Sequence, residues 1–251
     1  MMRLLFSILV LLNSLLIFSQ NVSSGFEVGN NYYQRAEYDS ALIYYQSIIE
    51  EGKTSPALYY NIGNAYYKKG LLAEAILYYE RAAQLSPVDV DISQNLEIAR
   101  AGTIDKIDPL PQIFYKQWIN ELKNFFSPDT WAIFTVVFIW LFFISLAVYV
   151  LSRIPSTRKL FFVSAIILFI LMISSAWISY DRYGDITNSN SAIVFDTSVY
   201  VKSSPEEKST NLFMLHEGTK VEILEELRNW RKIKLVNGSV GWIREEAIRV
   251  I

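Results

Sequence analysis

Few side chains of this 251-residue sequence are suited to catalysis or metal binding. The chain has no cysteine and one histidine, His216, which precedes Glu217 in a segment predicted to form a turn. A metal site would need further histidine or cysteine ligands, and catalysis by histidine needs a positioned partner. We therefore expect His216 to be a solvated turn residue, and we expect no metal and no cofactor.

Motifs of known enzyme classes are also missing. The sequence contains no G-x-S-x-G, no H-E-x-x-H and no glycine-rich phosphate loop. A hydrolase of the cell wall would need a catalytic domain, and no segment remains free to form one. The formal net charge of -2 provides no electrostatic basis for binding nucleic acid. The sequence thus predicts a protein that is not an enzyme and has no nucleic-acid partner.

Two long apolar runs predict membrane-spanning helices. Residues 131–152 and 160–180 contain no charged side chain. At 1.5 Å per residue each run forms a helix about 30 Å long, which matches the hydrocarbon thickness of a bilayer. We place the spans at 130–152 and 160–180, joined by a loop at 153–159. A transporter would need oligomers, because two uncharged spans offer no polar pathway.

The charges of the loop predict the orientation of the spans. Arg153, Arg158 and Lys159 lie in it without any acidic residue, which places the loop in the cytoplasm by the positive-inside rule. An uncharged run at residues 4–18 predicts a signal peptide at 1–20, which is either cleaved or kept as an anchor. Both arguments predict a two-pass protein of the cytoplasmic (inner) membrane with both terminal regions in the periplasm.

Residues 22–55 and 56–89 repeat each other at an offset of 34 positions. The matching pairs are Gly29 and Gly63, Asn30 and Asn64, Ala41 and Ala75, and Tyr45 and Tyr79. This period and the small residues at helix crossings resemble the tetratricopeptide (TPR) repeat. We assign 21–101 to a TPR domain, with residues 91–101 as a capping helix.

The resemblance to TPR proteins implies a concave groove lined by the first helix of each repeat. The groove positions would be Asn30, Tyr33, Asn64, Tyr67 and Lys68, with Gln94 and Asn95 from the capping helix. Such a groove would bind a peptide or a protein domain. The alternative is that these side chains only pack the repeats, as aromatic residues at helical spacing usually do.

Residues 102–129 form a predicted linker that contains an amphipathic helix. Phe114, Trp118 and Leu122 are spaced four apart, which places them on one face. This helix lies either at the membrane surface or against the repeats. A second linker is predicted at 181–191.

Residues 192–251 show the alternation and turn signals of short β-strands, including a hairpin turn at Asn237-Gly238. The strings VYVKSSP at 199–205, LHEGTKV at 215–221 and GWI at 241–243 resemble the bacterial SH3 (SH3b) family. That family implies a small barrel that binds proteins or cell-wall glycan. Trp230 and Trp242 form either its ligand face or part of its packing.

The whole chain resembles the BatE-type proteins of the Bacteroides aerotolerance (Bat) group in its order of segments. The predicted fold class is multidomain: an all-α TPR helical repeat, a two-helix transmembrane hairpin and a small all-β SH3-like barrel. The resemblance implies a membrane scaffold that works beside other membrane proteins of a Bat-type complex, with a link to oxygen or stress tolerance. The alternative is an envelope protein that binds the cell wall through its SH3b domain.

Overall fold

A computed structural model describes residues 23–108, 110, 114–187 and 190–251. This part of the chain contains a helical repeat region, two long apolar helices and a C-terminal antiparallel all-β domain, as the sequence predicts. The predicted signal peptide at 1–20 lies outside the described residues. So do residues 109 and 111–113 of the first predicted linker and 188–189 of the second.

Five helices form the repeat region: α1 (Ser23–Gln34), α2 (Tyr38–Glu50), α3 (Pro56–Lys68), α4 (Leu72–Leu85) and α5 (Val90–Ala101). Local sequence sets where they begin and end. Ser55 accepts a hydrogen bond from the Leu58 amide, and Pro56 follows where a missing N–H costs nothing. Gly52 and Gly70 follow the ends of α2 and α3 with φ of 75° and 77°, a conformation that glycine adopts without strain.

The two helix pairs pack through the same contact. A Cβ atom at Gly29 would lie 2.5 Å from the Tyr45 ring, and one at Gly63 would lie 2.6 Å from the Tyr79 ring. Both tyrosines are fully buried. The pairs α1–α2 and α3–α4 are therefore two copies of one unit, and each glycine allows its helices to cross closely.

Two helices of the described residues are long and apolar enough to cross a membrane. They fall within α7 (Pro128–Leu151) and α8 (Pro155–Thr187), with mean hydropathies of 2.6 and 2.5. In the most apolar 18-residue stretch of each helix, only 6% (α7) and 17% (α8) is buried, whereas a soluble core helix would be mostly buried. The pair is compatible with a membrane anchor. A shorter helix, α6 (Phe114–Asn124), precedes it.

The second apolar helix is longer than the predicted span at 160–180. It starts at Pro155, and residues 152–154 alone join it to α7. Arg158 and Lys159 thus belong to α8, because proline favours the first helical position and both cations are good helix formers.

Hydroxyl groups connect α7 and α8 along their length. The Oγ1 of Thr135 lies 2.9 Å from the Oγ of Ser175, and Ser145 donates to the Phe161 carbonyl at 2.9 Å. Ser179 donates to the Pro128 carbonyl at 3.0 Å. Polar side chains that satisfy each other between two apolar helices stabilise their association.

Seven strands build the C-terminal domain in the order β3-β2-β6-β5-β4-β1-β7. They are β1 (Ser191–Val194), β2 (Ser198–Lys202), β3 (Asn211–His216), β4 (Lys220–Leu227), β5 (Trp230–Lys234), β6 (Val240–Arg244) and β7 (Ile248–Val250). The predicted hairpin joins β5 to β6, and Gly238 in its turn has a φ of 85°. The alternating run at 192–202 splits into two strands, because β1 pairs with β4 and β7 whereas β2 pairs with β3 and β6.

We expect Gly63→Val to destabilise the repeats, because the added side chain would overlap the Tyr79 ring and force it to move. The free energy of opening of α3 and α4, measured by hydrogen exchange, should fall by about 1–3 kcal/mol. Gly25→Ala is the matched control, because its Cβ would meet Ile48 at an ordinary 3.5 Å. Equal protection in both variants would contradict the packing described.

Candidate functional site

Hydrogen bonds to asparagine side chains repeat from one helix pair of the helical region to the next. The Oδ1 of Asn30 accepts from the Tyr45 hydroxyl at 2.7 Å and from Asn61 Nδ2 at 2.9 Å. In the next unit the Oδ1 of Asn64 accepts from the Tyr79 hydroxyl at 2.7 Å and from Asn95 Nδ2 at 2.9 Å. We call these two sets the asparagine ladder.

The ladder shows what α5 is. Asn95 lies 34 residues after Asn61 and makes the same hydrogen bond to the preceding unit. Helix α5 therefore occupies the position of the first helix of a third repeat. It covers the second repeat, which would otherwise expose an apolar face.

A cavity of about 250 Å³ opens beside the second step of the ladder. We call it the repeat groove, and its lining consists of Tyr33, Tyr60, Asn64, Tyr67, Lys68, Tyr79, Asn95 and Ile98.

The structure brings together most of the side chains that the sequence assigned to a groove. Tyr33, Asn64, Tyr67 and Lys68 line the cavity together. The predicted Asn30 contributes to the ladder one repeat earlier, outside this lining. Of the two residues predicted from the capping helix, Asn95 lines the cavity, whereas Gln94 is exposed on α5 outside the lining.

Three lining residues were missed by the sequence analysis. Tyr60 and Ile98 lie outside the predicted positions around the asparagines, and Tyr79 lies on the second helix of its repeat, whereas the predicted groove is lined by first helices. The 34-residue offset could have indicated Tyr60, because it pairs this residue with the aromatic Phe26. Phe26 contacts Tyr45 as Tyr60 contacts Tyr79, with ring centroids 6.0 Å apart in both pairs.

The chemistry of the groove is that of neutral hydrogen-bonding groups beside one cation. Burial raises the pKa of Tyr45 to about 12, and burial likewise raises the pKa of Tyr79 above its ordinary value. Both hydroxyls therefore stay protonated at neutral pH and donate to the ladder. Because the Oδ1 atoms of Asn30 and Asn64 accept within the ladder, their first role is to order the groove. Binding of a ligand by these residues remains a prediction.

A second polar cluster lies between the repeat region and the barrel. Asp105 follows α5 and accepts three hydrogen bonds from the barrel: the His216 amide at 2.8 Å, the His216 ring at 2.8 Å and the Thr219 hydroxyl at 2.7 Å. Since an ionised carboxylate only accepts, the Nδ1 atom of His216 carries the proton in this contact.

This contact corrects the expectation that His216 is a solvated turn residue. Its side chain is 20% exposed, and that of Asp105 is 13% exposed. No local pattern indicates this pairing, because the two residues are separated by more than a hundred positions and two apolar helices.

An acidic residue of α4 forms the next contact between the two parts. Glu80 has only 5% of its side chain exposed, and it makes an ion pair with Arg100 of α5. Its other oxygen accepts from Lys220 of β4 at 2.8 Å. Arg81 donates to the Val250 carbonyl at 2.9 Å. A buried carboxylate requires such partners, and here one of them comes from the barrel.

Apolar side chains complete this contact. Ile193 of β1 is fully buried in the same cluster as Ile76, Tyr79 and Leu96 of the repeats, and Phe195 packs against that cluster. We call the whole contact the interdomain joint. It consists of Glu80, Arg81, Arg100 and Asp105 on the repeat side and Ile193, Phe195, His216, Thr219, Lys220 and Val250 on the barrel side.

The predicted ligand face of the barrel is largely enclosed. Trp230 and Trp242 are both buried. The Arg244 guanidinium lies 4.6 Å from the Trp230 ring centroid, and the Lys232 ammonium lies 5.9 Å from that of Trp242. Neither indole is an open stacking platform, and ligand binding by this pair remains a prediction. Among the described residues no group of three or more histidine or acidic side chains is arranged to hold a metal.

Comparison with known families agrees with this division of the chain. Residues 56–88 match the family model of the tetratricopeptide repeat, and residues 197–248 match that of the bacterial SH3 domain. No curated protein matches the chain. The matched repeat is the second of the two units, and the shared glycine–tyrosine contacts and asparagine ladder extend the same architecture to the first.

We expect Asn64→Ala to destabilise α3 and α4 by about 1–3 kcal/mol, because the buried Tyr79 hydroxyl loses its acceptor. In the double variant with Tyr79→Phe the unsatisfied hydroxyl is absent, so the two losses should not add. Hydrogen exchange of the single and double variants measures the coupling, which should be about 0.5–3 kcal/mol. Simple additivity would show that the ladder does not stabilise the repeats.

The joint should loosen when the Asp105 carboxylate loses its charge or is removed. Burial alone would raise its pKa, but hydrogen bonds from His216 and Thr219 outweigh that effect, so the pKa of Asp105 lies below its ordinary 3.8. The ionised carboxylate therefore stabilises the joint above pH 3.8, and this contribution is lost as the pH falls through the lower folded pKa.

Spin labels on Ser93→Cys and Lys208→Cys would measure the distance between the two domains. We expect a narrow distribution at neutral pH, and a broader one once the pH has fallen below the lowered pKa of Asp105, or in Asp105→Ala. Asp108→Ala is the matched control, because Asp108 is an exposed acid of the same segment. A distribution that is equally narrow in both variants would contradict a role for Asp105.

Proposed function

We propose that this chain is a non-enzymatic membrane scaffold, which presents a TPR groove and an SH3b barrel as one body outside the cytoplasmic membrane. The interdomain joint is the observation that carries this proposal. Asp105 precedes the two apolar helices in the chain and His216 follows them, yet the two side chains form a hydrogen bond. Residues in direct contact occupy one compartment, and two membrane crossings return the chain to the side where it started.

The distribution of charge supports the orientation. Arg153, Arg158 and Lys159 lie at the turn of the hairpin, which favours the cytoplasm for that end. The repeats and the barrel would then lie in the periplasm. This arrangement agrees with the usual extracellular setting of SH3b domains.

Two recognition modules on one anchor favour a role in assembly. Partners in the same membrane would meet both modules at a high effective concentration. The repeat groove would bind a peptide segment through its amide and hydroxyl groups and Lys68. By the resemblance of its segment order, we propose that these partners are other membrane proteins of a Bat-type complex linked to oxygen or stress tolerance.

A second candidate function is contact with the cell wall through the barrel. Exposed Tyr200, Leu212 and Met214 lie on β2 and β3, and Tyr200 pairs with Met214 across the strands. His216 at the end of β3 belongs to the joint, but these three side chains stay exposed with the joint formed. The surface they form is therefore accessible, and an aromatic and apolar surface suits the sugar rings of peptidoglycan.

Labelling of single cysteines in spheroplasts tests the orientation, since the chain has no cysteine of its own. We expect a membrane-impermeant maleimide to modify Lys53→Cys in the repeats and Lys208→Cys in the barrel. Ser156→Cys at the turn of the hairpin should react only after permeabilisation. Labelling of Lys53→Cys and Lys208→Cys from opposite sides would refute the scaffold.

A photoreactive residue in place of Tyr67 tests the groove in the same cells. Crosslinks to membrane proteins should form there and not from the same residue in place of Lys53, which lies in the exposed turn between α2 and α3. Identical products at both positions would argue against a groove ligand. Crosslinks to wall fragments from position 200, with none from position 67, would favour the second candidate.

A further inference from the structure

Helix α6 presents an apolar surface next to the membrane hairpin. Trp118 and Leu122 within the helix, and Phe125 directly after it, are 69%, 56% and 61% exposed. At 100° per residue the three positions lie within about 60° of one another around the helix axis. Asn120 and Asn124 are on the opposite side. The sequence allowed this helix to lie at the membrane surface or against the repeats. Because the repeats do not cover its apolar surface, the membrane surface is the position that remains.

The end of α6 is held against the hairpin by polar contacts. Lys123 makes an ion pair with Asp181 of α8, and its ammonium lies 4.9 Å from the Trp177 ring centroid. The indole N–H of Trp131 donates to the Lys123 carbonyl at 3.2 Å. These contacts fix α6 at the end of the hairpin that is opposite to the turn at 152–154. The helix is thus placed beside the exposed apolar surface of α7 and α8.

We propose that α6 lies in the membrane–water boundary, with Trp118, Leu122 and Phe125 inserted among the lipids. The occupant of this surface is the phospholipid bilayer itself. Because Lys123 is engaged with Asp181, insertion depends on apolar burial and does not need anionic lipid. This inference rests on the proposed membrane anchoring, and it adds a third attachment to the two spans.

Depth measurement on the full chain in phosphatidylcholine vesicles tests the proposal. Nitroxide labels would be placed one at a time at Leu122→Cys, Phe125→Cys, Asn120→Cys and Asn124→Cys, with Phe143→Cys of α7 as the reference inside the bilayer. Oxygen relaxes labels in lipid, and a water-soluble nickel chelate relaxes labels in water. We expect positions 122 and 125 to respond to oxygen, and positions 120 and 124 to respond to nickel.

The outcomes separate this inference from the proposed function. Nickel access at 122 equal to that at 120 would show that α6 is off the membrane, and shielding of 122 from both reagents would show that protein covers it. Either result overturns the inference if position 143 still reports lipid. Nickel access at 143 would overturn the membrane anchoring as well. A lipid response at 122 that appears only after phosphatidylglycerol is added would refute insertion driven by apolar burial.

Discussion

The hydrogen bonds that the Asp105 carboxylate accepts are the interaction on which the arrangement of the repeat region and the barrel depends. The Asp105 oxygens accept three hydrogen bonds from one turn of the barrel, and its side chain is largely withdrawn from water. A buried carboxylate without these donors would be costly, and the amide and hydroxyl donors would also lose their acceptor. The contact therefore ties the correct folding of residues 102–108 to the docking of the barrel. The first part of the predicted linker is therefore part of the interface between the repeats and the barrel.

Two residue types, glycine and asparagine, determine how the helices of the repeat region pack. Gly29 and Gly63 let the helices of each pair approach closely. This approach brings the Tyr45 and Tyr79 hydroxyls within hydrogen-bonding distance of the asparagine ladder. The ladder then fixes the amides that surround the groove. The side chains that close the core of the repeats thus also determine the shape of the cavity.

The sequence predicted what depends on local periodicity. The 34-residue offset located both repeats, the uncharged runs located both long helices, and Asn237-Gly238 located a hairpin. Contacts between distant segments left no periodic signal. The partners of Asp105 and Glu80 lie in the barrel, so His216 was expected in solvent and Lys220 received no role. The sequence left open whether Trp230 and Trp242 form a ligand face or pack the barrel, because alternation along a strand does not tell how closely the neighbouring strands enclose a large ring.

Short connections hold the barrel close to the hairpin. The Leu110 amide donates to the Val236 carbonyl of the barrel at 3.1 Å, and α6 begins at Phe114. Four residues of fully extended chain span at most about 14 Å. The second connection is equally short, because α8 ends at Thr187 and β1 begins at Ser191. Two such tethers, together with the interdomain joint, limit how far the repeats can move from the hairpin. If the hairpin spans the membrane, these tethers keep the repeat groove near the membrane surface, and the proposed partners would need their binding segments there, as a membrane protein with a short exposed segment has.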